Sequence, residues 1–419
     1  MRLSTFYFGL LGLSSSFVLG DQSHSWSGQW SSHTYINSVS SSAATQILSQ
    51  VQSQTSTSPA ASQTYSSSAA TYTNPVYNKF GADPWVIKDG NYYYMTYSTN
   101  DNVTILRSNT LTDWDNADVK LAFEPPENTS YTYDSWAPEL HYFEAYQKWY
   151  IIYTADVDPD SPSPQQDMLC DFNCPAVNHR MFVLESSGGD PWDSEYTMKA
   201  ELDTYDQFAI DGTYFQFENK LYHIYSCWYT NQTSWPSMLC ISETLIFAVS
   251  DPWTVSSPLS TRTIISKPDE PWEKTPYGRT VNVRLSSNEG PEQLVNPNTG
   301  QNFVIYSAAR SDNRNYCLGL LELVAPYNPM DANSWYKNKA GCIFYENPAE
   351  ETYGVGHASF VKSPDDSEWW IVYHGMRDYI EGWSARSIRT QKFSFDDSTG
   401  WPVFPRPGYG PYPVPSGQQ

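Results

Sequence analysis

The sequence predicts an all-β chain folded as a five-bladed β-propeller behind a disordered Ser/Thr-rich N-terminal leader. Three observations carry this. A strand–turn–strand pattern is written five times. The copies recur at the interval of multi-stranded blades. The composition changes near residue 74, from Ser, Thr, Gln and Ala to a chain dense in Trp, Tyr and Phe and punctuated by Gly and Pro.

The first copy is the clearest. Ala82-Asp83-Pro84 leads into an apolar run, an Asp89-Gly90 turn, and an aromatic strand that closes on Tyr97-Ser98. An Asp-Gly pair between two such runs specifies a tight hairpin. The second copy runs from Ala137-Pro138-Glu139 to Tyr153-Thr154, and the third from Ile210-Asp211-Gly212 to Tyr225-Ser226. The fourth runs from Asn288-Glu289-Gly290 to Tyr306-Ser307, and the fifth from Gly356-His357 to Tyr373-His374. The closing tyrosines, at 97, 153, 225, 306 and 373, are 56, 72, 81 and 67 residues apart. Repeats of roughly 40–50 residues or more with several short strands each mark a propeller, and five copies imply five blades. Residues 74–419 form one domain on this reading, large enough for a sizeable core. Its Pro/Gly-rich tail, 405–419, is expected to help close the ring.

Ahead of the domain, residues 1–20 combine one basic residue, a short apolar core and small residues near position 20, the pattern of a secretory signal peptide. That apolar run is too short to span a bilayer. Residues 21–73 hold no cysteine and too few apolar residues to offset ordering entropy, so they read as a disordered, O-glycosylated leader. The expected location is extracellular. Six cysteines then favour disulfides, and the locally plausible pairs are Cys170–Cys174, Cys227–Cys240 and Cys317–Cys342. Their spacing does not suggest zinc. N-glycosylation sequons begin at Asn102, Asn128 and Asn231. The net charge of −22 disfavours nucleic acid and acidic membrane surfaces and suits a neutral ligand. A monomer is expected.

Each copy opens on an ionisable residue: Asp83, Glu139, Asp211, Glu289 and His357, lying 14, 14, 14, 17 and 16 residues before the closing tyrosine. Equivalent positions of the innermost strands meet around a propeller's channel, so these five groups are expected to converge at one mouth. Such a cluster suits a metal site or acid–base chemistry on a glycosidic bond. Inverting hydrolysis needs a protonated acid and an ionised base roughly 6.5–9.5 Å apart. Asp83, held extended by Pro84, is the candidate base, and Glu289 the candidate acid. The acid needs a raised pKa, from burial or a negative neighbour, and Asp211 is the natural neighbour. Glu139 and His357 are expected to shape the substrate or ion environment. His357 either holds a calcium or sodium ion in the channel through water or hydrogen-bonds within it. The acid–base reading requires no cofactor.

Taken together, Ala82-Asp83-Pro84, Trp136-Ala137-Pro138-Glu139-Leu140-His141, Ile210-Asp211-Gly212-Thr213, Asn288-Glu289-Gly290-Pro291 and Gly356-His357 resemble glycoside hydrolase family 43, in the family's order. The resemblance implies a five-bladed propeller and an inverting mechanism with Asp83 as base, Glu289 as acid and Asp211 as pKa modulator, a role Glu139 could share. The second and third motifs resemble the branch that includes exo-acting α-L-arabinofuranosidases, which implies a plant cell-wall arabinan or arabinoxylan as substrate. The last strand, Trp383 to Phe393, resembles the family's closing segment. Arg386 is the preferred sugar-binding arginine there, ahead of Arg389. Trp85 and Trp136 flank the proposed site as candidate sugar platforms. The alternatives are a β-xylosidase, an exo-galactanase or an endo-arabinanase on the same scaffold, a non-catalytic sugar-binding propeller, and a calcium-dependent structural module. The Asn-Asp-Pro, Arg-Asp-Pro and Glu-Cys motifs of invertase-like propellers are absent.

Overall fold

The structure, a computed structural model, describes residues 70–157, 178–204, 207–229, 236–247, 249–255, 262–274, 276–277, 280–281, 286–376 and 382–418. The expected signal peptide, nearly all of the expected leader, Cys170, Cys174 and the Asn231 sequon lie outside these residues. Among the described residues no helix is long and apolar enough to cross a membrane.

Five antiparallel sheets form the five blades. Blade 1 holds β2 (Trp85–Asp89), β3 (Tyr92–Thr96), β4 (Val103–Ser108) and β5 (Asp118–Phe123). Blade 2 holds β6 (Tyr133–Phe143), β7 (Lys148–Asp156), β8 (Arg180–Ser186) and β9 (Tyr196–Glu201). Blade 3 holds β10 (Ala209–Phe217), β11 (Lys220–Cys227), β12 (Met238–Phe247) and β13 (Val249–Val255), with β14 (Thr263–Ser266) also paired to β12. A two-stranded ribbon, β15 (Pro276–Tyr277) and β16 (Thr280–Val281), follows. Blade 4 holds β17 (Asn288–Val295), β18 (Asn302–Ala308), β19 (Cys317–Leu323) and β20 (Trp335–Lys337). Blade 5 holds β21 (Tyr353–Lys362), β22 (Trp369–Met376), β23 (Arg386–Phe395) and β24 (Pro402–Val403).

The second strand of each blade is buried almost throughout, as in β7 and β22. Its two faces pack on different neighbours, which is why Trp149–Tyr153 reads as an unbroken apolar run rather than an alternating one. Apolar clusters join blade 1 to 2, 2 to 3, 3 to 4, 4 to 5 and 5 to 1. Disulfide Cys227–Cys240 ties β11 to β12, and Cys317–Cys342 ties the start of β19 to the segment after β20.

The ring closes through β1 (Thr71–Tyr72), which pairs with β25 (Tyr412–Pro413). The ordered fold thus starts inside the span 21–73 that composition assigns to the leader. Tyr72 is buried, packs on Trp370 and Tyr412, and donates its hydroxyl proton to Thr390 O at 2.8 Å. Asn74 clamps Thr390 by two hydrogen bonds of 3.0 Å. These partners lie some 300 residues away in the chain, and local composition cannot see them.

At the channel mouth each inner strand carries an extra residue opposite its neighbour, a β-bulge, and β6 and β21 carry a second one nearer their starts. Ile210 and Thr213 pair with Ser226 and Ile224, Trp136 and Glu139 with Thr154 and Ile152. Glu289 and Glu292 pair with Ser307 and Ile305, Gly356 and Ser359 with His374 and Val372. In blade 1, Ala82 O accepts from Ser98 N before Trp85 pairs with Thr96. The first residue inside each of these five mouth bulges is left-handed: Asp83 (φ 53°), Ala137 (44°), Asp211 (54°), Gly290 (52°) and His357 (45°), so the bulge overrides the extended backbone expected of Asp83 before Pro84. The left-handed conformation costs a residue with a Cβ about 1–2 kcal/mol.

The register corrects the expected equivalence of the five ionisable residues. Asp83, Asp211 and His357 are structurally equivalent, but Glu289 stands one residue before its bulge and Glu139 two residues after. Ala137 and Gly290 hold the equivalent places. Counting back from the tyrosines missed this because the hairpins differ in length: Asp89 pairs with Tyr92, Phe143 with Lys148, and Val295 with Asn302.

Candidate active site

A bulge leaves an amide N–H without a ladder partner, and a buried donor needs an acceptor. The residue after each closing tyrosine supplies one to the next blade. Ala137 N donates to Ser98 Oγ (2.8 Å), Asp211 N to Thr154 Oγ1 (3.1 Å), His357 N to Ser307 Oγ (2.7 Å) and Asp83 N to His374 Nδ1 (3.1 Å). The junction of blades 3 and 4 departs from this. There Ser226 Oγ donates to Asn288 O (3.0 Å), and Gly290 N donates to the Asp211 carboxylate (Oδ2, 3.1 Å). Asp211 is thereby pinned beside Glu289.

Asp83 Oδ2 accepts from Ser98 Oγ (2.6 Å), and Oδ1 lies 3.1 Å from Arg386 Nη1 and 3.2 Å from His357 Nδ1. Burial alone would raise its pKa, but Arg386 and His357 outweigh burial and hold it well below the usual carboxylate range. His374 Nδ1 is 3.3 Å from the same carboxylate, yet it already accepts the Asp83 amide proton, and burial lowers its pKa to about 4. His374 is therefore a neutral acceptor and contributes no charge. Burial also works against His357, but Asp83 and Asp211 (3.9 Å) carry its pKa up to about 9, so it is an imidazolium at neutral pH.

Glu289 is buried, with Oε1 accepting from Tyr316 Oη (2.8 Å) and Oε2 from Ser287 Oγ (2.5 Å). Burial, then the Asp211 charge, raises its pKa to about 7 against these two donors. Burial raises Asp211 to about 6, with His357 opposing and Asp83 adding. One wall of the mouth thus holds an ionised carboxylate and the other a carboxyl group that stays protonated to about neutrality.

A second tier lies deeper, at the positions after the bulge. Glu139 Oε2 is 2.8 Å from His141 Nε2, and burial lowers His141 to about 3, so that imidazole is neutral. Glu292 Oε2 accepts from Trp85 Nε1 (3.2 Å) and Thr213 Oγ1 (3.4 Å). Burial holds both glutamates well above the carboxylate range, and Glu139 adds to the rise at Glu292.

Three placements bear on the expected binding residues. Trp85 is buried, its ring 4.5 Å from that of His141, so it floors the channel and is not an open platform. Trp136 is partly exposed at the mouth, donates Nε1–H to Asn100 Oδ1 (2.9 Å) and stacks on His179 at 4.2 Å. Arg386 reaches Asp83, whereas Arg389 bonds Thr352 and Met376 O within blade 5. His357 Nδ1 faces two carboxylates, Asp83 at 3.2 Å and Asp211 at 3.9 Å. Among the described residues, the one His/carboxylate group compact enough for an ion is Asp134, Asp156 and His179, outside the channel ring.

Sequence reasoning passed over Glu292, Ser98, Ser287, Tyr316 and His374. Glu292 was within reach of it, directly following Glu289-Gly290-Pro291. His374 was visible as the one imidazole where the other copies close on Ser or Thr.

The profile of glycosyl hydrolases family 43 matches residues 72–402. The chain belongs to that family. An α-L-arabinofuranosidase of Humicola insolens is 32% identical over 347 residues, which cover 80% of this chain and 62% of the relative. An extracellular exo-α-(1→5)-L-arabinofuranosidase of Streptomyces avermitilis is 31% identical over 342 residues, covering 79% and 61%. The chain spans about three-fifths of the length of these two relatives. The crystal structure of an α-L-arabinofuranosidase from Lactobacillus brevis superposes with a TM-score of 0.67 at 28% identity, covering 81% of this chain and 98% of that one.

Proposed function

We propose that this family 43 protein is a secreted, exo-acting α-L-arabinofuranosidase that cleaves terminal arabinofuranosyl units from arabinan or arabinoxylan with inversion. The observation that carries the proposal is the opposite ionisation of two carboxyl groups at one mouth, Asp83 low and Glu289 high. An ionised Asp83 takes a proton from the attacking water. A protonated Glu289 gives one to the leaving oxygen. Asp211 keeps Glu289 protonated, and Arg386 and His357 keep Asp83 ionised. Trp136 offers the sugar an open indole. Relatives named as arabinofuranosidases, two of them extracellular, support the substrate class and the location, as do the N-terminal sequence and the sequons.

The acid–base chemistry needs no cofactor, so full activity is expected after chelation and in sodium-free buffer; activity lost on chelation and restored by calcium or sodium would instead assign an ion to the channel beside His357. The test is hydrolysis of aryl α-L-arabinofuranosides, aryl β-D-xylosides and linear arabino-oligosaccharides by wild type and Asp83→Ala. Arabinose released by wild type alone is the expected result. Xyloside cleavage without arabinoside cleavage would replace the substrate, and equal activity of the variant would remove Asp83 from the chemistry.

A further inference from the structure

One group bonded to the acid has no place in the motifs. Tyr316 enters just before β19, is fully buried, and donates to Glu289 Oε1 at 2.8 Å. Its ring lies parallel to that of His374 at 5.4 Å, interplanar angle 2°. Gly356 makes room for it: a Cβ at residue 356 would collide with Tyr316 Cε1. Glycine in Gly356-His357 is thus explained by the tyrosine that crosses over it.

The direction of the hydrogen bonds follows from chemistry. The His357 amide can only donate, and it donates to Ser307 Oγ at 2.7 Å. Ser307 keeps its own proton to give, and its bond to the Tyr316 oxygen opposes the rise of the phenol's pKa, as a donated proton would. A hydroxyl has one proton, so Tyr316, receiving from Ser307, sends its own to Glu289 Oε1. In this arrangement the chain runs from backbone to acid, and Oε1 accepts from Tyr316. The other oxygen differs. Oε2 meets Ser287 Oγ, which is paired with Ser237 Oγ at 2.7 Å in a bond that either hydroxyl can donate. That pair can reverse, so Ser287 can accept from a protonated carboxyl as readily as it donates to an ionised one.

Building on the assignment of Glu289 as the acid, we infer that Tyr316 is a positioning residue for it, locking Oε1 as an acceptor so that the transferable proton resides on Oε2. Without the lock the proton divides between the two oxygens, and part of the enzyme is protonated on the wrong one. The lock also opposes the pKa rise that burial and Asp211 impose, keeping the acid strong enough to give its proton up.

Tyr316→Phe tests this, because it keeps the ring against His374 and Gly356 and removes only the donor. kcat should fall about tenfold on arabino-oligosaccharides, whose leaving group needs the proton, the size expected for one hydrogen bond to a charged group. The fall should be much smaller on a dinitrophenyl arabinofuranoside, whose leaving group departs unaided. The alkaline limb of kcat/KM should move to higher pH. Ser307→Ala breaks the chain upstream and should act in the same direction, more weakly. Equal falls on both substrates with an unmoved alkaline limb in both variants would overturn the inference. Glu289→Ala separates the two levels. If it shows no dependence on leaving group, the acid assignment itself fails. If it shows that dependence and Tyr316→Phe does not, the inference alone falls.

Discussion

Four of the five blade junctions are alike, and the fifth is not. At the regular junctions the bulge amide is received by a Ser, Thr or His that follows the closing tyrosine of the preceding blade. Between blades 3 and 4 the equivalent Ser226 turns to Asn288 O, and the amide goes to the Asp211 carboxylate instead. The regular junctions spend a neutral group on a structural need. The irregular one spends a charge, and places it beside Glu289, where it raises that group's pKa. The lesson is that the propeller departs from its repeat where a charge is set beside Glu289, the residue proposed as the acid.

The bulge residues show the same contrast. Ala137 bears a left-handed φ with a Cβ, while the residue of blade 4 is Gly290, whose added Cβ would lie 2.9 Å from His357 Nδ1. Space beside the imidazolium matters there, and backbone strain alone matters at Ala137.

Breaking the proposed acid should have the largest effect. Glu289→Gln is expected to lose about 10²- to 10⁴-fold in kcat on arabino-oligosaccharides, measured with folding checked by circular dichroism. Gly290→Ala should come next. It adds about 1–2 kcal/mol of left-handed strain and presses on His357, so both melting temperature and kcat should drop. Ala137→Gly should be smallest and of opposite sign. It relieves strain at a regular junction, and a slightly raised or unchanged melting temperature with wild-type kcat is expected.

Much of the fold was legible because it is repeated. The five closing tyrosines gave the blade count, and the Ser or Thr behind them was on view although its task was not. Bulge register was hidden, since hairpin length varies between blades and only pairing partners fix it. That is why Glu139 was aligned with Asp83 when it belongs to the tier below. Trp85 looked like a platform because a tryptophan next to a site motif gives no sign of which side its ring faces. Tyr316 carries no local signal at all. It reaches Glu289 from outside any motif, and the one trace of it is Gly356, which it needs. The first strand was missed for a related reason, since Thr71–Tyr72 is ordered by residues at the other end of the chain.

The irregular junction is tested most directly by the pH dependence of kcat/KM in wild type and Asp211→Asn. Asparagine can still accept the Gly290 amide proton, so only the charge is lost. As the proposed acid, Glu289 must be protonated to act, and activity should therefore fall as pH rises through about 7 in wild type. Removing the Asp211 charge lowers the Glu289 pKa, so the alkaline limb should move to lower pH and activity at neutral pH should drop. An alkaline limb that stays in place in Asp211→Asn would contradict the account, because Asp211 would then not be what tunes the acid.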